Sequence, residues 1–336
     1  MRRPDTYAYA LARVYAKRSY MLTRPQLEAL AKSISYHQAL RSLATTSYAK
    51  YVESAEDLVE VEKGLVKSYS DLFNDLVGLV RGAAREFIEA CRRRHELEVL
   101  KALLRAKLAG LGREEALRNI VPVGSFTHEV CERFLSARDA AAAAMMIDDP
   151  LLRGSVLDAV RKAVEESTPL PVELAIDSYA YAILGRAVEG LKDMDRDWAR
   201  KLVGEEVDVK NFVACLRLRS LGLRDYARYL LPYKLRFTAQ LAEKVVQAPT
   251  ISEAVAAVSH LWELPAKVST VSEVEDLLQR RLLHVNEAAF LHYGFHVGLL
   301  QALLNLKYFE VRNLKVILIG KSEELPSDEI VARLVL

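Results

Sequence analysis

A twelve-residue pattern returns three times along the chain and constrains its fold more than any other feature. Glu96–Lys107 reads ELEVLKALLRAK, Asp208–Arg219 reads DVKNFVACLRLR, and Glu310–Lys321 reads EVRNLKVILIGK. Each copy begins on an acid (Glu96, Asp208, Glu310) and ends on a base (Lys107, Arg219, Lys321). The fifth position is Leu100, Phe212 or Leu314; the eighth is Leu103, Cys215 or Ile317; the ninth is Leu104, Leu216 or Leu318. An α-helical residue turns the chain by about 100°, so these offsets share one helix face. An acid heads that face and a base closes it. Returning about once per hundred residues, the pattern marks a helical repeat protein.

Two further elements keep the same order. Thr23, Thr127 and Thr238 each follow an apolar residue (Leu22, Phe126, Phe237) and precede apolar positions at helical spacing, as N-cap residues do. Pro25 suits the first turn after the first of them. Glu62, Glu173 and Glu275 each stand three residues before an apolar side chain (Leu65, Ile176, Leu278), and 34 or 35 residues ahead of the closing acid. These marks divide the chain into repeats at 1–112, 113–222 and 223–336. Each is a capped helix, a linker, a long helix from near the central glutamate, and a closing amphipathic helix that runs on into the next. A short helix through Ile330 and Leu334 resembles the start of a fourth. With only 14 glycines and 10 prolines, and Pro249, Pro265, Gly112 and Gly222 placed at linkers or helix ends, the expected class is all-α.

Lys plus Arg is 47 against 45 for Asp plus Glu, a net charge of +2, which gives no reason to expect a nucleic-acid partner. Cys91, Cys131 and Cys215 are sparse, odd in number and far apart, which suits a reducing cytoplasm better than a disulfide framework. No apolar run follows Arg2 and Arg3, so no signal peptide is expected. Ala288 to Leu306 carries no charge, yet it contains His292, Gln301, Asn305 and two glycines. It is expected to be a helix buried among other helices rather than a membrane span.

Most chemical signals fail on their surroundings. Gly320-Lys321-Ser322 ends like a phosphate-binding loop, but the required earlier glycine is Lys315, inside the amphipathic pattern. Asp193, Asp195 and Asp197 begin like a calcium loop, but Trp198 and Gly204 occupy the glycine and glutamate places, which leaves an acidic surface turn. Asp148-Asp149 lacks a third aspartate. His292 and His296, four apart on one expected helix, are read as buried or interfacial histidines sharing hydrogen bonds rather than metal ligands. Arg217, Arg219, Arg224 and Arg228, with Lys234 and Arg236, form the densest basic region, interleaved with Tyr226, Tyr229 and Tyr233. It is either a solvated helix pair or a docking surface for an acidic partner. The recurring acids serve no single reaction, since repeats scatter equivalent residues. They are expected to pair with bases at the feet of neighbouring antiparallel helices and so to set register. No catalytic residue, cofactor or metal is expected.

EVRNLKVILIGK, DVKNFVACLRLR with their shared asparagines (Asn211, Asn313), the opening YAYALARVYAKRSYMLT and the threefold repeat together resemble the C-subunit family of the archaeal and V-type ATP synthases, the counterpart of the d subunit in eukaryotic V-ATPases. Val99 stands where the other copies have asparagine. The likeness covers essentially the whole chain. It implies three tandem helical lobes arranged as a pseudo-threefold funnel on the cytoplasmic face of the membrane. Such a funnel is a peripheral, non-catalytic rotor component that contacts the membrane only through the rotor ring and receives the central-stalk subunits. Arg217, Arg219, Arg224 and Arg228 are then candidates for stalk docking. A general helical-repeat adaptor and an all-helical enzyme are the other classes considered.

Overall fold

The computed structural model describes residues 5–336 apart from Ala266, Tyr293 and Phe295, with side chains from Ala8 onward. Among these residues every regular element is a helix. After α1 (Asp5–Ser19), the first repeat holds α2 (Arg24–Ala31), α3 (Tyr36–Leu43), α4 (Ala49–Val52), α5 (Leu58–Val77) and α6 (Ala83–Leu108). The second holds α7 (Arg113–Asn119), α8 (His128–Ser136), α9 (Ala140–Ala144), α10 (Pro150–Glu165), α11 (Leu170–Gly190) and α12 (Asp193–Ser220). The third holds α13 (Ala239–Gln247), α14 (Ile251–Ala256), α15 (Val271–Ala289) and α16 (Gly298–Ser322), and α17 (Ser327–Ala332) follows.

The threonines start the helices as expected. Thr127 and Thr238 accept hydrogen bonds from the Val130 and Leu241 N–H groups, and the Thr23 N–H donates to the Gln26 side chain. Twelve residues after each comes a second cap: Ser35, Asp139 and Thr250 accept from Gln38, Ala142 and Glu253. The central glutamates fall on α5, α11 and α15, and the twelve-residue pattern fills the second half of α6, α12 and α16. Its fifth position is fully buried in all three copies, at Leu100, Phe212 and Leu314. Burying side chains of this size contributes roughly 1.5–3 kcal/mol each.

The closing helices end alike. Gly110 and Gly222 adopt φ 68° and 70°, Glu324 adopts φ 57°, and the N–H groups of Leu111, Leu223 and Leu325 donate to carbonyls of Ala106, Leu218 and Gly320. These are left-handed C-terminal caps, for which glycine is the unstrained residue. Gly110 rather than Gly112 therefore ends α6; Gly112 is the N-cap of α7. Two other expectations are corrected. Ala288–Leu306 is not one helix, because α15 stops at Ala289 and α16 starts at Gly298, where a Cβ would lie 2.6 Å from the Trp198 Cβ. Asp193–Asp197 is not a surface turn but the first turn of α12; there Asp195 is buried and accepts the Val297 N–H at 2.8 Å.

Packing shifts the units relative to the sequence repeats. One core runs from Leu97 to Ala180, and a second from Val209 to Leu282 with Phe309 and Val335. The third joins both ends of the chain, Ala10 to Cys91 with the α16 and α17 side chains. The same core gathers the first halves of the closing helices: Phe87 and Ile88 of α6, Leu202 and Val203 of α12, Leu300 and Leu303 of α16. Their second halves then part: that of α6 enters the 97–180 core, that of α12 the 209–282 core, and that of α16 stays with the first repeat. α6 packs on α11, α12 on α15, and α16 returns to α5 of the first repeat. No described helix is long and apolar enough to cross a membrane.

Candidate functional site

Where the closing helices part, they enclose a cavity of about 720 Å³. Its wall starts at three repeat-equivalent residues two places before each acid: Arg94, Glu206 and Tyr308. It continues along the faces carrying Glu98 and Lys101 of α6, Lys210 of α12, and Arg312 and Lys315 of α16. The lining holds five bases and two acids. Arg94 forms an ion pair with Glu206 and donates to the Tyr181 hydroxyl at 2.8 Å. Lys101 is held by Glu98 and Asp177, each at 2.8 Å. The sequence marks none of these lining positions, because a polar helix face reads as a solvated one until the helices are arranged around it.

The recurring acids and bases are marked in the sequence, and the structure assigns them a different task. Glu96, Asp208 and Glu310 do not pair with the closing bases of neighbouring helices. Each grips the chain just before a threonine-capped helix. Glu96 accepts from Ser125 Oγ at 2.9 Å and pairs with Arg93 at 3.3 Å. Asp208, with no exposure, accepts the Leu235 N–H at 2.9 Å and the Arg236 N–H at 2.6 Å. Burial pushes its carboxyl up from the usual range, against the backbone N–H groups that hold it down. Glu310 accepts from the Leu22 N–H, from the Tyr48 hydroxyl at 2.6 Å and from Lys307 at 2.8 Å. Burial pushes the Lys307 ammonium down, opposed by Glu310.

The bases hold the other end of the same short helices. Lys107 donates to the Leu135 and Ala137 carbonyls at the end of α8, and Arg219 to the Ala248 and Pro249 carbonyls at the end of α13. Each short helix thus lies along its closing helix in the same direction, with a carboxylate at its N-terminal approach and a cation at its C-terminus. That order complements the helix dipole, and it explains why the charges sit eleven residues apart. In the third copy Lys321 departs, donating instead to Ser327 Oγ at 2.9 Å. Removing the head group with Lys107→Met should therefore cost about 1–2 kcal/mol in urea unfolding, and Lys321→Met measurably less. Equal losses would contradict the clamp.

The remaining marks also resolve. The tenth position of the pattern meets the next central glutamate, Arg105 with Glu173 at 2.6 Å and Arg217 with Glu275 at 2.7 Å; in the third copy it is Ile319, and Glu62 is half-buried. Asn211 and Asn313 each bond both backbone groups of one residue, Leu231 and Val335. A Cβ on Gly320 would lie 2.8 Å from Ile330, so Gly320-Lys321 seats α17. Of the basic region, Arg217 and Arg219 are occupied as described, Arg228 is exposed and within 3.6 Å of Glu166, and Arg224 is exposed. Glu205, unmarked in the sequence, is a buried hub for Arg236 (2.7 Å), Arg281 (2.8 Å) and Trp262 Nε1 (2.9 Å).

His292 and His296 do not share a helix or a hydrogen bond. They lie in the connection between α15 and α16, against Trp198. His296 stacks on the indole at 4.8 Å and 3°, and His292 tilts at 5.4 Å. His296 is fully buried, and among the described residues neither ring nitrogen has a hydrogen-bond partner. No group of His, Cys, Asp and Glu among the described residues is placed to hold a metal ion.

Comparison with known proteins adds an independent observation. Residues 10–333 match a family model described as ATP synthase (C/AC39) subunit. The C subunit of the A-type ATP synthase of Methanocaldococcus jannaschii is 24% identical over 96% of this chain and 85% of the relative. The C subunit of the V-type ATP synthase of Deinococcus radiodurans is 27% identical over 97% and 90%, and that of Thermus thermophilus 30% identical over 67% of each.

Proposed function

Because the chain belongs to the ATP synthase (C/AC39) subunit family, we propose that it is a non-catalytic rotor component that couples the central stalk to the membrane rotor ring. The observation that carries this reading is the cavity between the three closing helices. Their first halves are fused in one core, a rigid base. Beyond it the second halves of α6 and α12 pass into cores of their own while that of α16 stays with the base, and an opening is left between them. A stalk seated there is gripped from three sides, so a turning moment on it is carried by packed helices rather than by one loop. The parting of the three second halves supports the pseudo-threefold funnel that the family resemblance implies. A peripheral position on the cytoplasmic face, with membrane contact only through the ring, fits helices that are too polar to span a membrane. Exposed Arg224 and Arg228 extend the docking surface beyond the cavity, while Arg217 and Arg219 act mainly in holding the third lobe together.

Purification through an affinity tag from gently solubilised membranes should recover the stalk and ring subunits in fixed proportion. Once separated from them, the chain should stay in solution without detergent. Recovery of the chain alone, or with unrelated partners, would overturn the coupling role.

A further inference from the structure

We propose that the cavity accepts an acidic segment of the stalk in one rotational setting, keyed by Lys210, Arg312 and Lys315. The proposal rests on the coupling role and adds the chemistry and orientation of the occupant. Three identical walls would offer an occupant three equivalent settings, and a rod turning in such a socket slips by thirds. These walls are not identical. At the third place of the pattern stand Glu98, Lys210 and Arg312; at the sixth stand Lys101, Val213 and Lys315.

The cations of α6 are consumed within the protein, Arg94 by Glu206 and Lys101 by Glu98 and Asp177. Among the described residues Lys210, Arg312 and Lys315 have no acid at ion-pair distance; Lys210 stands 5.9 Å over the Tyr181 ring and feels Glu206, which Arg94 already pairs, only at longer range. One terminal nitrogen of Arg312 is buried with no hydrogen-bond partner. The least compensated positive charge therefore lies on the α12–α16 side. In a partly enclosed cavity such charge is screened less than on open surface, so it attracts carboxylates strongly. A carboxylate in the cavity beside Arg312 can form a charge-assisted bond with the accessible part of its guanidinium. The α6 wall, electrically closed, offers no such reward. An acidic segment gains in one setting and loses in the other two.

Carbodiimide treatment of the intact purified complex tests this directly, because it joins a lysine only to a carboxylate already touching it. Peptide mapping should find Lys210 and Lys315 linked to one acidic stretch of a stalk protein, at least tenfold more often than Lys101. In a second arm, the triple substitution K210Q/R312Q/K315Q should keep the wild-type melting temperature, and stalk affinity should fall at least tenfold and lose most of its salt dependence. Equal linkage at all three lysines, no linkage in an intact complex, or unchanged stalk affinity of the triple variant overturns the keyed cavity while leaving the coupling role standing. A chain that purifies without a stalk overturns both.

Discussion

Lowering the pH from 6.5 to 5 should remove about 3 kcal/mol of folding stability, mainly through two histidines. Burial brings His95 and His296 down from the usual 6.5 to about 4; the neighbouring Arg94 adds to the effect on His95, and Asp195 opposes it on His296. His95 lies between rings, 4.6 Å from Tyr69 and stacked on Phe73 at 5.4 Å, while His296 faces Trp198. Because the folded values are depressed, the unfolded chain takes up protons first as the pH falls. The stability is whole above 6.5 and drains away toward 4. At pH 5 each ring accounts for roughly 2 kcal/mol at full desolvation, trimmed for the half-buried His95 by water. Stopping at pH 5 keeps most carboxylates out of the measurement. Urea midpoints at pH 7.5 and 5 should converge by about half in His296→Phe, which keeps the ring stack and removes the titrating nitrogens. An unchanged pH slope in that variant would show that His296 is not responsible.

Asp208→Ala is expected to cost about 3 kcal/mol, because it strands the half-buried N–H groups of Leu235 and Arg236 beside a fully buried site. Asp208→Asn, which retains one acceptor oxygen, should lose about half as much. The two losses can be read from urea unfolding at constant m-value. A cost below 1 kcal/mol for the alanine variant would mean that the segment before α13 rearranges to satisfy itself, and that the acid is not its anchor.

The helices and their repetition are legible because a packing face repeats at the helical period, and Leu100, Phe212 and Leu314 declare it without reference to any partner. The partners of the charges are not. Lys107 and Arg219 serve carbonyls about thirty residues downstream, and nothing in the pattern tells a base that pairs with an acid from one that caps a helix. One further signal is present in the chain: the twelve residues separating Thr23, Thr127 and Thr238 from Ser35, Asp139 and Thr250 mark a second capped helix in every repeat. Gly294 and Gly298 likewise signal a break in the helix expected around His292 and His296. The cavity lies beyond reach of the sequence, because Lys210, Arg312 and Lys315 become an interior only when three helices far apart in the chain surround them.

The return of α16 to the first repeat has a consequence for how the molecule is made. The core that contains Leu30, Leu43 and Leu65 is completed by Leu314, Ile317 and Leu318. The anchor on Leu22 is Glu310, 288 residues away along the chain. The cores at 97–180 and 209–282 draw almost entirely on neighbouring sequence, so their contacts close early and over short loops. As synthesis proceeds from the N-terminus, the lobe that emerges first has its apolar partners supplied last, and it waits open until the final helix arrives.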